Sequence, residues 1–316
     1  MTHRIRHILE MIRFGHTIFA LPFALLAAVM AWHVRASEQA SVEPTLGEFF
    51  GVIRWQEVIG ILVCMVAARS AAMAFNRLAD RKIDAENPRT AKRHLPAGVL
   101  SLRSVAFFTV FSSLVFVAGT LLFLPNRLPI YLALPVLLFL LAYSYTKRYT
   151  ALAHVWLGCS LTLAPISTWI ALRGEAILNS PADLIPAAML GVAVLFWVTG
   201  FDIIYSCQDV DFDRKSKLRS IPAKLGVLAA LRLAAICHLL MSAVLICLPF
   251  SHSIGGPQLD LSWIYWSGVG VVVALLAYEH WIVRPDDLTR VNMAFFNINA
   301  VVSLGLFVVG TIDLLT

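Results

Sequence analysis

Two pairs of aspartates are spaced so that each pair can hold a divalent cation. Asp80 and Asp84 form one pair, and Asp209 and Asp213 form the other. Carboxylates at positions i and i+4 project from the same face of a helix, where both can contact one ion. Hard cations such as Mg²⁺ take oxygen ligands, commonly one or two carboxylates together with oxygens of a phosphorylated substrate. The spacing therefore predicts two Mg²⁺ sites for a phosphorylated ligand.

Two further polar residues extend these pairs along the same helical faces. Asn76 lies four residues before Asp80, and Asp202 lies seven residues before Asp209. Asp202 falls about two turns inside an apolar run, and an ionisable group at such a depth is a functional candidate by default. Asn76 is a candidate metal ligand and substrate-binding residue, whereas Asp211 falls off the face and is expected to be solvated. The catalytic candidates are Asp80, Asp84, Asp202, Asp209 and Asp213.

Basic residues follow each aspartate pair and suit the phosphate groups of a ligand. Around and after the first pair these residues are Arg77, Arg81, Lys82, Arg89, Lys92 and Arg93, and after the second they are Lys215, Lys217, Arg219 and Lys224. Arg81 and Arg93 are candidate substrate-binding residues. The alternative is a cytoplasmic loop in which acids merely balance bases. The recurrence of the same aspartate spacing at a second helix end favours the site.

A third polar element is the stretch from Tyr143 to Thr150, which holds Lys147 and Arg148 and is expected to form a short turn between two helices. A lysine suits a phosphate as a point charge, and an arginine fork suits a carboxylate. The alternative is that Lys147 and Arg148 have no contact with a ligand and only reflect the excess of basic residues in cytoplasmic loops. His154 follows and is a candidate general base or polar contact, with a structural role as the alternative.

The elements that must position these residues are membrane-spanning helices. Apolar residues make up 59% of the 316 positions and charged residues 14%, whereas a soluble domain has about 25% charged residues. Apolar runs of about 20 residues match a hydrocarbon core about 30 Å thick. We predict an all-α polytopic membrane protein whose single domain, residues 1–316, is a nine-helix bundle. The predicted spans are 14–33, 56–76, 102–124, 128–146, 151–172, 184–206, 224–250, 261–282 and 291–315.

The distribution of Lys and Arg predicts the orientation of this bundle. With nine spans, the loops on the side of the N-terminus hold nineteen Lys and Arg residues, and the opposite loops hold four. Basic loops are retained in the cytoplasm. We therefore expect an integral protein of a bacterial inner (plasma) membrane, with its N-terminus and both aspartate segments cytoplasmic. The five cysteines show no CxxC or His–Cys spacing, so neither a disulfide nor a zinc site is predicted.

One reaction suits this combination of residues. Two metal ions on a diphosphate, beside an apolar bundle, favour ionisation of an allylic isoprenoid diphosphate, because metals and basic groups stabilise the departing diphosphate. A dry cavity would then shield the carbocation until an electron-rich aromatic ring attacks it. The expected partners are a polyprenyl diphosphate donor, an aromatic acceptor and the lipid bilayer, with no nucleic acid.

At these residues the chain resembles the UbiA superfamily of intramembrane aromatic prenyltransferases. The resemblance covers both aspartate motifs, the Arg89–Gly98 stretch and the Tyr143–Thr150 stretch. It implies that Asn76, Asp80, Asp84, Asp209 and Asp213 hold Mg²⁺ and diphosphate, with Asp202 nearby. It also implies that Lys147 contacts diphosphate and that Arg148 orients an acceptor carboxylate. Arg13 and His16 lie where the family places further pocket residues, with a helix-end anchor as the alternative.

Two departures from the family pattern bear on the substrates. Arg77 replaces a common aspartate of the first motif, and Ala153-His154 replaces the Pro-Gln typical of 4-hydroxybenzoate enzymes. These features resemble the subgroup of the futalosine route to menaquinone. The implied activity is polyprenyl transfer to 4-hydroxybenzoate or a related precursor in ubiquinone or menaquinone synthesis, with a futalosine-derived acceptor as the alternative. A cation-coupled transporter is the alternative from another class, but it would place charges near the midplane of several helices.

Overall fold

The computed structural model describes residues 7–8, 10–12, 19–40 and 44–316, apart from the side chain of Ala294. Nine long helices follow one another and no β-strand occurs in this described part. We number them as follows: α1 Leu21–Gln39, α2 Trp55–Glu86, α3 Leu102–Gly119, α4 Leu128–Tyr149, α5 Ala153–Asn179, α6 Ile185–Ser206, α7 Val227–Cys247, α8 Trp263–Ile282 and α9 Asn299–Leu315. Shorter helical segments include Leu46–Gly51, Val210–Lys215 and Ile221–Leu225. The all-α membrane fold is confirmed.

The predicted number of nine membrane spans is not confirmed. Among the described residues, seven helical stretches are long and apolar enough to cross a bilayer. The first and eighth predicted spans overlap α1 and α8, which are not among the seven, and residues 14–18 of the first predicted span lie outside the described residues. Helix α1 carries Arg35 and Glu38, and α8 carries Glu279 and His280. These polar residues lower the mean hydropathy of two helices that belong to the same bundle.

The helices pack against one another in a single bundle. Helix α2 packs against α3 and α4, α5 against α4 and α6, α6 against α7, and α8 against α9, while α1 lies between α5 and α9. Large apolar side chains on the outer surface remain exposed, such as Phe107, Leu114 and Leu138. An outer surface of this kind suits lipid rather than water. The alternation of helix direction brings the ends of α2, α4 and α6 together with the start of α5.

Ion pairs around two buried charged residues, Glu57 and Arg173, hold the opposite end of the bundle. Glu57 is fully buried and accepts hydrogen bonds from Arg35, Arg54 and the indole of Trp32. A second network joins Arg173 of α5 to Asp183 before α6 and to Glu38 of α1. A buried charge is tolerated when it is paired and hydrogen-bonded. These two networks therefore fix how α1, α2, α5 and α6 meet.

Helix α5 approaches α6 closely because Gly158 has no side chain. A Cβ atom at Gly158 would lie 2.6 Å from the Leu195 carbonyl oxygen and 2.6 Å from Thr199 Oγ1. By contrast, a Cβ atom at Gly305 in α9 would meet nothing within 4 Å.

We expect Gly158→Ala to lower the apparent melting temperature in detergent, since overpacking a tight contact costs about 1–3 kcal/mol. Gly305→Ala is the matched control and should raise it slightly, because alanine is favoured over glycine inside a helix by about 0.5–1 kcal/mol. Thermal unfolding followed by circular dichroism measures both. Equal effects at the two positions would contradict the close approach of α5 and α6.

Candidate functional site

A polar cavity of about 260 Å³ lies at the end of the bundle where α2, α4 and α6 finish. Most of the residues predicted from the sequence line it. They are Asn76, Asp80, Asp84, Arg93, Lys147, Arg148, Asp202, Asp209 and Asp213. The fold thus brings together side chains that are more than 130 positions apart in the sequence.

The first aspartate pair projects from the last turns of α2. This helix continues to Glu86, ten residues beyond the predicted end of the second span, so Asp80 and Asp84 are helical. Asn76 Nδ2 donates a hydrogen bond to Asp80 Oδ2 over 2.8 Å. Arg148 Nη2 donates to Asp80 Oδ1 over 3.0 Å and to the Ala79 carbonyl oxygen over 2.7 Å. Asp80 is therefore held between its own helix and α4.

Asp84 is buried and lies between two arginines. Arg93 Nη1 donates to Asp84 Oδ1 over 2.7 Å, and Arg77 Nη1 lies 3.6 Å from Asp84 Oδ2. Arg77 is itself buried. The arginine that departs from the family pattern thus compensates the charge of the second carboxylate of its own motif.

The second aspartate motif follows a break in the helix. Helix α6 ends at Ser206, a 3₁₀ turn spans Cys207–Asp209, and the short helix Val210–Lys215 follows. The expectation of one continuous helical face for Asp202, Asp209 and Asp213 is therefore wrong. The break changes the direction of the chain, but the three side chains still line the same cavity.

Asp209 is paired with Arg89 from the loop after α2. Arg89 Nε donates to Asp209 Oδ1 over 2.8 Å, Arg89 Nη2 donates to Oδ2, and Arg89 Nη1 donates to the Tyr205 hydroxyl over 2.8 Å. Burial alone would lower the pKa of the Arg89 guanidinium, but the hydrogen bonds to Asp209 raise it overall. Arg89 therefore stays charged and cross-links the two aspartate segments.

The oxygens of this cavity fit a divalent cation. Asp84 Oδ2 and Asp213 Oδ2 are buried, and neither has a hydrogen-bond partner in the described part of the chain. A buried oxygen without a hydrogen bond is costly unless an ion or water satisfies it. Four carboxylates with the Asn76 amide also form the all-oxygen ligand set that Mg²⁺ prefers. Asn76, Asp80, Asp84, Asp209 and Asp213 are the residues that can hold such an ion.

His154 does not reach the cavity. Its side chain is fully buried, and its Nδ1 lies 2.6 Å from Asp202 Oδ2. The Ile221 backbone N–H donates to His154 Nε2 over 3.4 Å, so the neutral tautomer that carries its proton on Nδ1 satisfies both contacts. His154 therefore orients Asp202, which does line the cavity, and has no direct access to a ligand.

The remaining predictions have different outcomes. Arg81 does not line the cavity, because it is exposed and its Nη1 donates to the Leu78 carbonyl oxygen of its own helix. Asp211 is exposed, as expected. Arg13 lies outside the described residues, as does His16. Lys147 and Arg148 belong to the last turn of α4 rather than to a turn between helices, since α4 ends at Tyr149.

Several cavity residues were not chosen from the sequence. The sequence pattern predicts Arg93 but not Arg89 as a substrate-binding residue, although both lie in the same basic loop. Arg69, Tyr143 and Tyr205 also line the cavity. An arginine in the middle of an apolar span was the available signal for Arg69, because such a residue faces protein or water.

An apolar cavity of about 210 Å³ adjoins the polar one inside the bundle. The two cavities share six lining residues, namely Arg69, Met73, Asn76, Tyr143, Leu157 and Leu161. Along α2 the apolar cavity extends from Ile61 to Asn76, a rise of about 22 Å. The site therefore combines a charged head region with a long apolar channel.

Comparison with known proteins agrees with this geometry. The model of the UbiA prenyltransferase family matches residues 45–301. A 4-hydroxybenzoate octaprenyltransferase of Aliivibrio fischeri (strain MJ11) is 29% identical over 267 residues, which cover 82% of this chain and 85% of that protein. The protein of the same name from Xanthomonas oryzae pv. oryzae (strain PXO99A) is 31% identical over 242 residues, covering 76% and 74%.

Solved structures show the same arrangement of helices. The apo structure of a UbiA homologue from Aeropyrum pernix K1 has a TM-score of 0.77 and 30% identity, and the match covers 94% of this chain and 97% of that one. A UbiA homologue from Archaeoglobus fulgidus, bound to GPP and Mg²⁺, has a TM-score of 0.62 over 96% and 99% of the two chains. At 15% identity the second likeness is one of fold.

We expect Arg89→Ala to destabilise the protein in the absence of divalent cations. Without Arg89 the buried carboxylate of Asp209 loses its charged partner, which costs about 1–3 kcal/mol. Mg²⁺ should then stabilise the variant more than the wild type, because the arginine no longer competes for the carboxylate. Melting temperatures with EDTA and with Mg²⁺ measure both effects.

Arg81→Ala is the matched control, since Arg81 is exposed and outside the cavity. It should change neither the melting temperature nor the Mg²⁺ response. An Mg²⁺ response of Arg89→Ala no larger than that of the wild type would show that Arg89 and a cation do not share Asp209.

Proposed function

The chain belongs to the UbiA prenyltransferase family and is therefore a membrane prenyltransferase, and we propose that it transfers a polyprenyl group from polyprenyl diphosphate to 4-hydroxybenzoate or a closely related aromatic acid. The observation that carries this proposal is the junction of the two cavities. The polar cavity offers carboxylates and cationic side chains to a metal–diphosphate group, and the adjoining apolar cavity offers room for an isoprenoid tail. The names of the Aliivibrio and Xanthomonas relatives support this acceptor class and a role in quinone synthesis.

Mg²⁺ is the proposed cofactor, held by the aspartates of both motifs and by Asn76. When bound, it would neutralise charge on the departing diphosphate. Lys147 lines the cavity, and no carboxylate pairs with its ammonium in the described part of the chain, so it is available for diphosphate oxygens. Arg89, Arg93 and Arg148 can exchange their carboxylate partners for phosphate oxygens, since a guanidinium fork fits either group.

The chain's residues also account for the fate of the reacting groups. The bond between the allylic carbon and the diphosphate oxygen breaks, and its electron pair leaves with the diphosphate. The aromatic ring supplies the pair for the new carbon–carbon bond and then loses a proton. We assign that proton to Asp202, which lines the cavity and is oriented by His154. The apolar walls of the adjoining cavity exclude water from the cation.

The membrane location follows the same reasoning. A polyprenyl donor is soluble in lipid, and the apolar cavity lies within helices that are long enough to span a bilayer. We propose a bacterial inner membrane, with the polar cavity on the cytoplasmic side where the basic loops lie. Cysteine-labelling of exposed loop positions from each side of sealed vesicles tests this orientation.

Replacing an aspartate of either motif should abolish turnover. We expect Asp80→Ala and Asp209→Ala each to lower the rate at least about a hundredfold, because each removes a ligand that stabilises the departing diphosphate by several kcal/mol. Asp211→Ala is the matched control, because Asp211 is exposed and does not line the cavity. The assay supplies prenyl diphosphates with 4-hydroxybenzoate and, separately, with a futalosine-derived acceptor to purified protein in lipid vesicles.

Product mass identifies the acceptor that is used. Prenylated 4-hydroxybenzoate supports the proposal, and a product formed only from the second acceptor would redirect it to the futalosine route. Near-normal activity of Asp80→Ala or Asp209→Ala would contradict the metal–diphosphate mechanism. If none of the donors is consumed and the protein is instead required for ion movement across the vesicle, the transporter alternative is favoured.

The apolar cavity should limit the length of the donor. Ala133 lines it from α4, about 21 Å along the helix from Lys147. Ala133→Phe should lower kcat/KM at least about tenfold for long polyprenyl diphosphates and leave geranyl diphosphate almost unaffected, because the added ring fills the deep end. Leu134→Phe is the matched control, since Leu134 is 59% exposed on the outer surface of the same helix. Equal losses with short and long donors would contradict the assignment of this cavity to the tail.

A further inference from the structure

A cluster of two histidines and a glutamate lies outside the polar cavity. His7 Nδ1 is 3.4 Å from Glu10 Oε2, and His94 Nε2 is 3.5 Å from the same oxygen. The two imidazole rings have centroids 5.5 Å apart. One ligand atom from each of the three residues lies within 4.8 Å of the others. Among the described residues, this is the one group of three or more His, Cys, Asp or Glu side chains whose ligand atoms lie that close together.

The separations of the two imidazole nitrogens from Glu10 Oε2 match the geometry around zinc. Zinc binds nitrogen and oxygen at about 2.0–2.2 Å in a tetrahedron, so two of its ligand atoms lie about 3.3–3.6 Å apart. A charge-assisted hydrogen bond between an imidazole and a carboxylate would be shorter, at about 2.7–2.9 Å. Imidazole nitrogens favour zinc and its neighbours over Mg²⁺, which prefers an all-oxygen ligand set.

The packing below the cluster positions its two halves. Met11 and Ile12 are buried and form a small apolar cluster with Leu100, against which Leu95 also packs. His7 and Glu10 precede the first two residues, and His94 precedes Leu95. The three ligands therefore project from the two sides of a packed contact, at a surface where each remains partly exposed to solvent.

We propose that His7, Glu10 and His94 bind Zn²⁺ and that the ion ties the N-terminal helical turn to the loop after α2. His94 directly follows Arg93, which contacts Asp84, and lies five residues after Arg89, which contacts Asp209. A bound ion would thus hold the loop that supplies two arginines to the polar cavity. The cysteine pattern gave no sign of this site, because none of its ligands is a cysteine and 84 positions separate Glu10 from His94.

The test is a zinc titration of the full chain in detergent, with any polyhistidine tag removed and Mg²⁺ in excess to occupy the aspartates. Competition with a chromophoric zinc indicator should show one high-affinity equivalent per chain. His94→Ala and His7→Gln should each lower that affinity at least about tenfold. His252→Ala is the matched control, because His252 is exposed and distant in sequence from the cluster, and it should leave the affinity unchanged.

X-ray absorption at the zinc edge distinguishes the ligands. The proposed site gives nitrogen and oxygen neighbours at about 2.0–2.2 Å, whereas zinc on the cysteines would give sulfur at about 2.3 Å. Sulfur scattering, unchanged affinity in His94→Ala or no high-affinity equivalent in the wild type would each overturn the proposal. No donor or acceptor is present in these measurements, so their outcome is independent of the proposed transferase activity.

Discussion

Compensation of buried negative charge is the constraint on which the arrangement of this protein depends. A carboxylate in an apolar bundle is costly unless it is paired and hydrogen-bonded. Asp80 is paired with Arg148, Asp84 with Arg93, and Asp209 with Arg89, each partner coming from a different segment than its aspartate. These pairs require the last turn of α4 and the loop after α2 to approach the ends of α2 and α6. The positions of the compensating arginines thus determine the polar cavity as much as the positions of the aspartates do.

The helices and the common end of the aspartate motifs were predictable because both follow from local patterns. An apolar run of sufficient length forms a helix that crosses a membrane, and alternation of direction places the end of α2 and the end of α6 on one side. The partners of the aspartates were not predictable, since nothing in the sequence near Arg89 indicates a carboxylate 120 positions away. The break at Cys207–Asp209 was also missed, because the residues there have no proline or glycine to signal it.

Helical phase explains why the prediction that Arg81 binds substrate is wrong. Arg81 directly follows Asp80 on α2, so it projects about 100° around the helix axis from that carboxylate, and neighbours at i and i+1 do not share a face. The i and i+4 spacing of Asp80 and Asp84 already requires a helix at these positions, although the predicted apolar span ends at residue 76 and α2 continues to Glu86. Arg93 and Arg89 lie beyond the helix, where the chain can turn back toward the carboxylates. The position of the helix end thus decided which basic residues reach the cavity.

The ion pairs around the buried residues Glu57 and Arg173 have a further consequence for how this chain can change. Glu57 and Asp80 belong to the same helix but are about 34 Å apart along its axis. Substitutions that are far apart and share no partners usually have additive effects on stability. The end of the bundle around Glu57 therefore provides a reserve of stability that is energetically separate from the chemistry. Substitutions that change acceptor selection can therefore lower the stability of the polar cavity without weakening the ion pairs around Glu57, which keep the opposite end of the bundle folded.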